Sequence, residues 1–509
     1  MSLERYLLFL ISFFSFSIFI AQNDVDYIRY SKTEIGGSPR FIGMGGAMGA
    51  LGADMSCASY NPAGLGIFTR FDINYGFGFL TTSNRSDFLG YSSSSSRFMP
   101  NFSTFGLVMP YPSKNKQDVR NLICYNINQL VNFNSRIVLA HPETKATLNR
   151  DMLLNISDMN RPNGISPLYE GLGFNSYLLD FDSVSNKYFS FCDTAIPVKL
   201  NRTITRSGRI NESTFSFAQS IGDEWYWGIG FGIQNVRFEN DMIHSEFDDQ
   251  NKMQIVQSGT TASSTYITPP PFFYPGLLGF KQTTYREYYK TLGKGYNLKA
   301  GFIYRQSPEL RMGFYAHTPT YFDLSDEYSY SMKTVFDGTT TPMEAVYPPD
   351  GKGLFAYSVR TPWKLGGSVG YIFMKKVAMG FDAEWLAYNS GRLNSEEFPT
   401  AFDGVNQIIG KKYKSAFNFR VGAEYNMYPF FFRAGYIQIG NPYGKMFTAN
   451  ETVHIFSAGF GFRMKYFYMD FVYQHRLEQF QYYPYIKTNE FAKIQSQRGM
   501  FNVLLGYKI

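Results

Sequence analysis

Between Trp225 and Gln234 polarity alternates at every residue. Trp225, Trp227, Ile229, Phe231 and Ile233 share one parity; Tyr226, Gly228, Gly230, Gly232 and Gln234 share the other. Successive side chains on an extended strand point to opposite faces, so this segment predicts a strand with one greasy face and one small or polar face. The pattern returns along the chain. Phe417, Phe419, Val421, Ala423 and Tyr425 alternate with Asn418, Arg420, Gly422 and Glu424, and Val377, Met379, Phe381, Ala383 and Trp385 alternate with Gly380, Asp382 and Glu384. Segments 71–79 and 296–304 repeat it. A soluble sandwich alternates too, but its apolar face turns into a core of branched aliphatics. Here that face is crowded with Phe, Tyr and Trp, and aromatics recur near strand ends at Trp225, Trp363 and Trp385. Such belts mark a barrel that spans a membrane.

The connections alternate in length. Short turns at Lys114–Asp118, Ile221–Glu224, Gln306–Glu309, Met374–Lys376, Tyr425–Pro429 and Met464–Tyr466 separate long polar segments near 135–208, 240–286, 330–353, 390–412, 441–451 and 484–497. Outer-membrane barrels have short periplasmic turns and long external loops, so the spacing predicts about fourteen strands. They fall near 71–82, 101–112, 119–134, 209–221, 225–238, 286–306, 310–327, 354–373, 377–390, 413–426, 429–440, 452–464, 466–482 and 498–509. The expected fold is all-β: a transmembrane antiparallel β-barrel over 71–509 in the cell outer membrane, with both barrel termini periplasmic and 135–208 as its largest loop. Phe501, Val503, Leu505, Tyr507 and Ile509 share one face, which suits a last strand that closes on the first.

Composition agrees. Charged residues are only 17% and aromatics 18% of the chain, yet mean hydropathy is −0.23, too polar for a bundle of membrane helices. The net charge of +7 is spread without a block of like charges, so no nucleic-acid partner is expected. Arg5 followed by the apolar run 7–20, closing at Ala21-Gln22, predicts a cleavable signal peptide over 1–21. Cys57, Cys124 and Cys192 are too widely spaced for a disulfide framework or a metal site and read as free thiols. The five histidines, His141, His244, His317, His454 and His475, are spread over loops and strands. No Gly-x-Ser-x-Gly elbow accompanies them, so neither an enzyme nor a cofactor is expected. By parity Asp382, Glu384, Glu424 and Asp470 face Arg420, Arg433 and Lys364, which predicts ion pairs across a lumen.

Residues 22–70 break the pattern. The stretch 36–54 is dense in small residues, and 61–68 leads into the first strand. The Gly43–Gly46 cluster lacks the preceding strand and following helix of a phosphate-binding loop. Small residues instead let short helices pack in a narrow lumen, and Asn61-Pro62 predicts a turn that aims the chain at the wall. The segment therefore predicts a small N-terminal plug, which turns an open pore into a gated conduit.

The plug with Asn61-Pro62-Ala63, followed by about fourteen strands, resembles the FadL/TodX family of outer-membrane channels for hydrophobic compounds. Phe41-Ile42-Gly43-Met44-Gly45-Gly46 and Asn61-Pro62-Ala63-Gly64-Leu65-Gly66 resemble its Bacteroidetes-like branch, as do 296–304, Pro308-Glu309-Leu310-Arg311 and His317-Thr318-Pro319-Thr320-Tyr321. The resemblance implies passive uptake of a hydrophobic small molecule, a fatty acid or an aromatic compound, with outer-membrane lipid around the wall. It implies capture by loop 135–208, which holds the helix-compatible Thr144–Met159, and a pocket above the plug. Exit is then sideways through a kinked third strand, here Val119–Asn134 with Asn126, Asn128 and Asn132. Asn61, Pro62, Ala63, Phe41, Met44 and Met48 are the implied ligand-binding or gating residues of the plug. The alternative is a PorV-like secretion shuttle with an envelope protein partner.

Overall fold

The alternation along each strand is an alternation of lipid-facing and lumen-facing side chains. The computed structural model describes residues 24–112, 118–158, 165–182, 186–190, 192–253, 278–337, 341–444 and 452–509. The expected signal peptide, most of the turn at Lys114–Asp118 and parts of several loops lie outside them. Nineteen strand segments form one sheet, which reduces to a closed antiparallel barrel of 14 strands. These are β1 (Asp72–Phe88), β2 (Tyr91–Pro112), β3 (Val119–Asn132, resuming as Ser135–Thr144), β4 (Val198–Ile221) and β5 (Trp225–Phe247). Next come β6 (Leu278–Arg305), β7 (Leu310–His317 with Tyr321–Asp337), β8 (Gly353–Arg360 with Lys364–Phe373) and β9 (Val377–Ala387). The last are β10 (Ser415–Met427), β11 (Phe430–Ile439), β12 (Val453–Arg463), β13 (Phe467–Tyr482) and β14 (Ala492–Lys508). β1 pairs with β14 along its whole length, from Asp72 opposite Lys508 to Phe88 opposite Ala492. No edge is left there in a solvent that cannot hydrogen-bond it.

The outward face is apolar, as the pattern requires: Ile229, Phe314 and Phe417 are each more than half exposed (52%, 62% and 53%). Such a surface is stable in hydrocarbon, not in water.

The strand count agrees with the sequence; the strand lengths do not. β4 and β6 run 24 and 28 residues, against the ~9–11 that cross a bilayer. Much of what reads as loop is therefore strand. β1 and β2 join through Leu89-Gly90, both at positive φ, the backbone of a tight two-residue hairpin. The expected loop 135–208 shrinks to 145–197, because 135–144 belongs to β3 and 198–208 to β4. Its helix is α3 (Leu148–Asp158), shorter at its start than expected. His141 and His244, which fell in expected loops, both lie in strands. The reason is physical: once a strand rises out of lipid its outer face turns polar, and the period-2 hydrophobic signal fades while the strand continues.

Inside the barrel the N-terminal segment forms α1 (Asp24–Ser31), α2 (Pro39–Gly43) and two 3-10 turns, Met55–Ser59 and Pro62–Ile67. Their starts are legible. Ser38, Asp54 and Asn61 cap them by accepting from the backbone N–H groups of Phe41, Ser56 and Ala63, with Pro39 and Pro62 at the first position. Asn61-Pro62 thus begins a helical turn whose Ala63 and Ile67 pack on Tyr226 and Ile303 of the wall.

The wall meets the plug on rows of glycine. Gly380, Gly422 and Gly435 are in register on β9, β10 and β11. A Cβ on them would stand 1.9 Å from Ala47 O, 2.1 Å from Met44 O and 2.2 Å from Gly45 N. Gly228 and Gly301 do the same for Pro62 and Asn61. Side chains on these rows would lift the plug off the wall. Gly422→Val is expected to cost about 1–3 kcal/mol of overpacking and to raise ion conductance in planar bilayers. Gly410→Ala, in open space on a loop helix, is expected to leave conductance unchanged.

Candidate functional site

Charges in the lumen are arranged in chains. Arg433 Nε donates to Glu424 Oε2 at 2.6 Å and its Nη1 to Asp470 Oδ1 at 2.7 Å. Arg40 of the plug binds both Glu424 oxygens at 2.9 Å, and Arg463 binds Asp470 at 2.9 Å. Arg420 Nη2 donates to Glu384 Oε1 at 2.8 Å. The parity prediction holds for these. Asp382 instead accepts from Gly49 N at 3.1 Å and Lys364 donates to Thr33 Oγ1 at 2.8 Å; both serve the plug. The plug is thereby fixed by charge as well as shape.

One line of the wall is not closed by backbone. The β2–β3 ladder runs from Pro112 opposite Arg120 to Thr104 opposite Asn128 and stops. Beyond it, among the described residues, β2 keeps only its β1 partner, up to Tyr91 opposite Phe88. β3 keeps only β4, with an irregularity between Gln129 and Val131. The plug covers part of the vacated edge: Glu34 N donates to Leu130 O at 2.8 Å, and Gly36 lies against Gln129 O. Farther up, side chains stitch the seam. Ser95 Oγ and Asn84 Nδ2 donate to Arg136 O at 2.5 and 2.7 Å, and Ala140 N donates to Ser93 Oγ at 3.2 Å.

The three asparagines singled out from sequence stand at this break. Asn126 Nδ2 donates to Phe105 O at 3.0 Å and Asn128 Nδ2 to Ser59 Oγ of the plug at 3.1 Å. Asn132 Nδ2 reaches across to Asn101 Oδ1 at 3.0 Å. A cavity of about 20 Å³ lies behind the break, bordered by Glu34, Gly36, Gln129, Asn132, Arg476 and Arg498.

A larger chamber of about 250 Å³ lies beside α1. Arg29, Arg206, Glu287, Asp326, Tyr289 and Tyr330 are among the residues around it. The described residues of the loop between 145 and 197 roof this end of the barrel, with Leu148, Met152 and Leu172 sharing one apolar core with Ile204, Met242, Tyr285 and Tyr330 of the wall. Asp151 of α3 latches the roof by accepting from Ile486 N and Lys487 N at 3.0 and 2.7 Å.

The P. putida toluene transporter TodX superposes on 94% of this chain and 99% of its own, at 12% identity and a TM-score of 0.50. The fold is that of a plugged TodX-type barrel. A Pseudomonas aeruginosa FadL homologue matches over 93% of this chain and 99% of its own, at 14% identity and a TM-score of 0.49. The Ralstonia pickettii toluene transporter TbuX matches over 92% and 98%, at 14% and 0.47. No family model and no curated protein matches the chain.

The plug residues named from sequence fall into two groups. Phe41, Met44 and Met48 are buried with Ile35, Leu51 and Tyr60 against Ile437 and Ile455 of the wall, and Phe41 stacks on Tyr60 at 4.6 Å. Asn61, Pro62 and Ala63 sit by the short-turn end, where Asn61 Nδ2 donates to Gly49 O at 2.6 Å. None of the six borders the chamber beside α1. Sequence reasoning missed Arg206 and Asn240 because both fell in expected loops. The usable signal was their shared parity with the inward residues of β4 and β5.

Arg433, with a fully buried side chain, is the hub of the lumen network. Arg433→Met is expected to leave Glu424 and Asp470 short of a partner and to cost about 3–5 kcal/mol. Urea unfolding in detergent micelles, followed by heat-modifiable gel mobility, measures it.

Proposed function

We propose that this chain is a passive conduit for small hydrophobic molecules, taken up from outside the cell and released sideways into the outer membrane between β2 and β3. The long loops then face outward, and the short turns and both ends of the barrel face the periplasm. The observation that carries this reading is the interrupted β2–β3 ladder. Unpaired backbone groups in hydrocarbon cost several kcal/mol each, so a barrel opens at least cost where its wall is already held by plug backbone and side chains. Asn126, Asn128 and Asn132 are the proposed hinge of that opening. Asn61, Pro62 and Ala63 anchor the plug, and Phe41, Met44 and Met48 hold its packing while the neighbouring segment moves. Toluene, the compound that TodX transports, and a long-chain fatty acid both fit the proposed role.

The test joins uptake to the gap. Cells carrying the protein are expected to take up labelled toluene or oleate faster than cells without it. In Asn101→Cys/Asn132→Cys, a short bis-maleimide added to cells is expected to reduce uptake to the level of cells lacking the protein. The same reagent on Val472→Cys/Asn502→Cys, opposite one another on the closed β13–β14 ladder, is expected to have no effect. Unchanged uptake after crosslinking across the gap would rule out the lateral route.

A further inference from the structure

The chamber beside α1 is polar where a path for hydrocarbon needs apolar walls. Its cations and anions are not all matched. Arg29 is satisfied: it pairs with Asp26, donates Nη2 to the Tyr289 hydroxyl at 3.1 Å and lies over the Phe238 ring at 4.3 Å. Asp326 accepts from the Tyr357 hydroxyl at 3.3 Å. Arg206 is different. It donates Nε to Asn240 Oδ1 at 3.3 Å, and among the described residues it has no ion pair. The Glu287 carboxylate, on the same chamber, has neither an ion pair nor a hydrogen bond among the described residues.

The register explains why these two do not meet. Arg206 of β4 is opposite Asn240 of β5, whereas Glu287 of β6 is opposite Met242, two residues higher. Two strand spacings and two residues of rise separate their Cα atoms by roughly 12 Å. A guanidinium and a carboxylate therefore face one cavity across a gap, each partly desolvated and, among the described residues, each without a counter-charge at ion-pair distance, although Arg202, Arg206 and Arg29 all act on Glu287 from farther away. Ile204, Met242 and Tyr330 supply apolar surface between and above them.

We propose that this chamber binds a small amphipathic zwitterion of the α-amino-acid type. Its carboxylate pairs with Arg206, its ammonium with Glu287, and its apolar part packs on Ile204, Met242 and Tyr330. Planar guanidinium suits bidentate binding of a carboxylate, and the separation of the two wall charges selects against ligands with only one. The proposal rests on the conduit reading only for how the ligand reaches the chamber.

The experiment uses the purified full-length protein in a maltoside detergent, which carries no charge, and titration calorimetry with four probes. L-Phenylalanine is expected to bind at least ~10-fold more tightly than 3-phenylpropionate, phenethylamine or toluene, a difference of about 1.4 kcal/mol. Arg206→Gln is expected to weaken phenylalanine and 3-phenylpropionate alike. Glu287→Gln is expected to weaken phenylalanine and phenethylamine and to leave 3-phenylpropionate unchanged. Wild-type ion conductance of each variant shows that its plug is seated. Absence of phenylalanine binding, or equal binding of toluene insensitive to both substitutions, would overturn the site. If toluene uptake is still blocked by the β2–β3 crosslink in that case, the conduit stands without the zwitterion site. Phenylalanine binding with no hydrophobic uptake supports the site and removes the conduit.

Discussion

A chain that crosses lipid as strands must pair every backbone N–H and C=O within itself, and that demand governs the molecule. It explains why β1 and β14 meet along their full length. It also explains what happens where the ladder is interrupted. At Pro319 and Pro362, which have no N–H to give, backbone bonds from Thr318 N to Leu298 O (3.0 Å) and from Thr361 N to Thr320 O (3.1 Å) bridge the breaks. At the end of the β2–β3 ladder no backbone–backbone bond between described wall residues does this, and the plug's Glu34 supplies a donor to Leu130 O instead. The plug is therefore part of the wall as well as the filling of the lumen.

The same logic runs inward. Lumen carboxylates are held by arginines from both wall and plug, so the plug is charge-matched to its barrel through Arg40 and Glu424. Where it touches the wall without charge, glycines remove the side chains that would keep the backbones apart. Cys57 illustrates how dry the contact is: burial, with the nearby Asp54 carboxylate, pushes its thiol well above the usual range. Ion pairs and close glycine contacts thus fix the plug at its α2 and Pro62–Ile67 ends. The segment between α1 and α2 is held by Glu34, which pairs with Arg476 and Arg498 at 2.7 and 2.6 Å, by Thr33, which accepts from Lys364, and by Gly37 O, which accepts from Ser103 Oγ at 2.6 Å.

The fourteen strands were legible because lipid imposes a strict outward parity, and the plug was legible because that parity is missing from 22–70. Both signals fail at their limits. Above the lipid Ser92–Ser96 and Arg202–Ser207 carry no apolar face, so β2 and β4 read as loop although their inward parity persists. The break in β3 was legible only as a run of asparagines. That Asn128 binds the plug's Ser59, and that the ladder ends there, depends on residues 69 apart in the chain. The chamber was invisible for a related reason: Arg206 and Glu287 come together only through a register that no local window contains.

These features lie in the tall half of the barrel, and their order along it matters. The chamber adjoins α1, the small cavity behind the β2–β3 break adjoins Glu34 and Gly36, and the segment joining α1 to α2 lies between them. A molecule moving from one to the other has to displace that segment but not the glycine-seated remainder of the plug. On the proposed route, the resistance to passage comes from the contacts of that segment: two ion pairs at Glu34, the backbone hydrogen bond to Leu130, the Lys364–Thr33 bond, the Ser103–Gly37 bond and the burial of Ile35. On that route the charges of the chamber act only on ligands that themselves carry charge, whereas the narrowness of the break acts on every ligand.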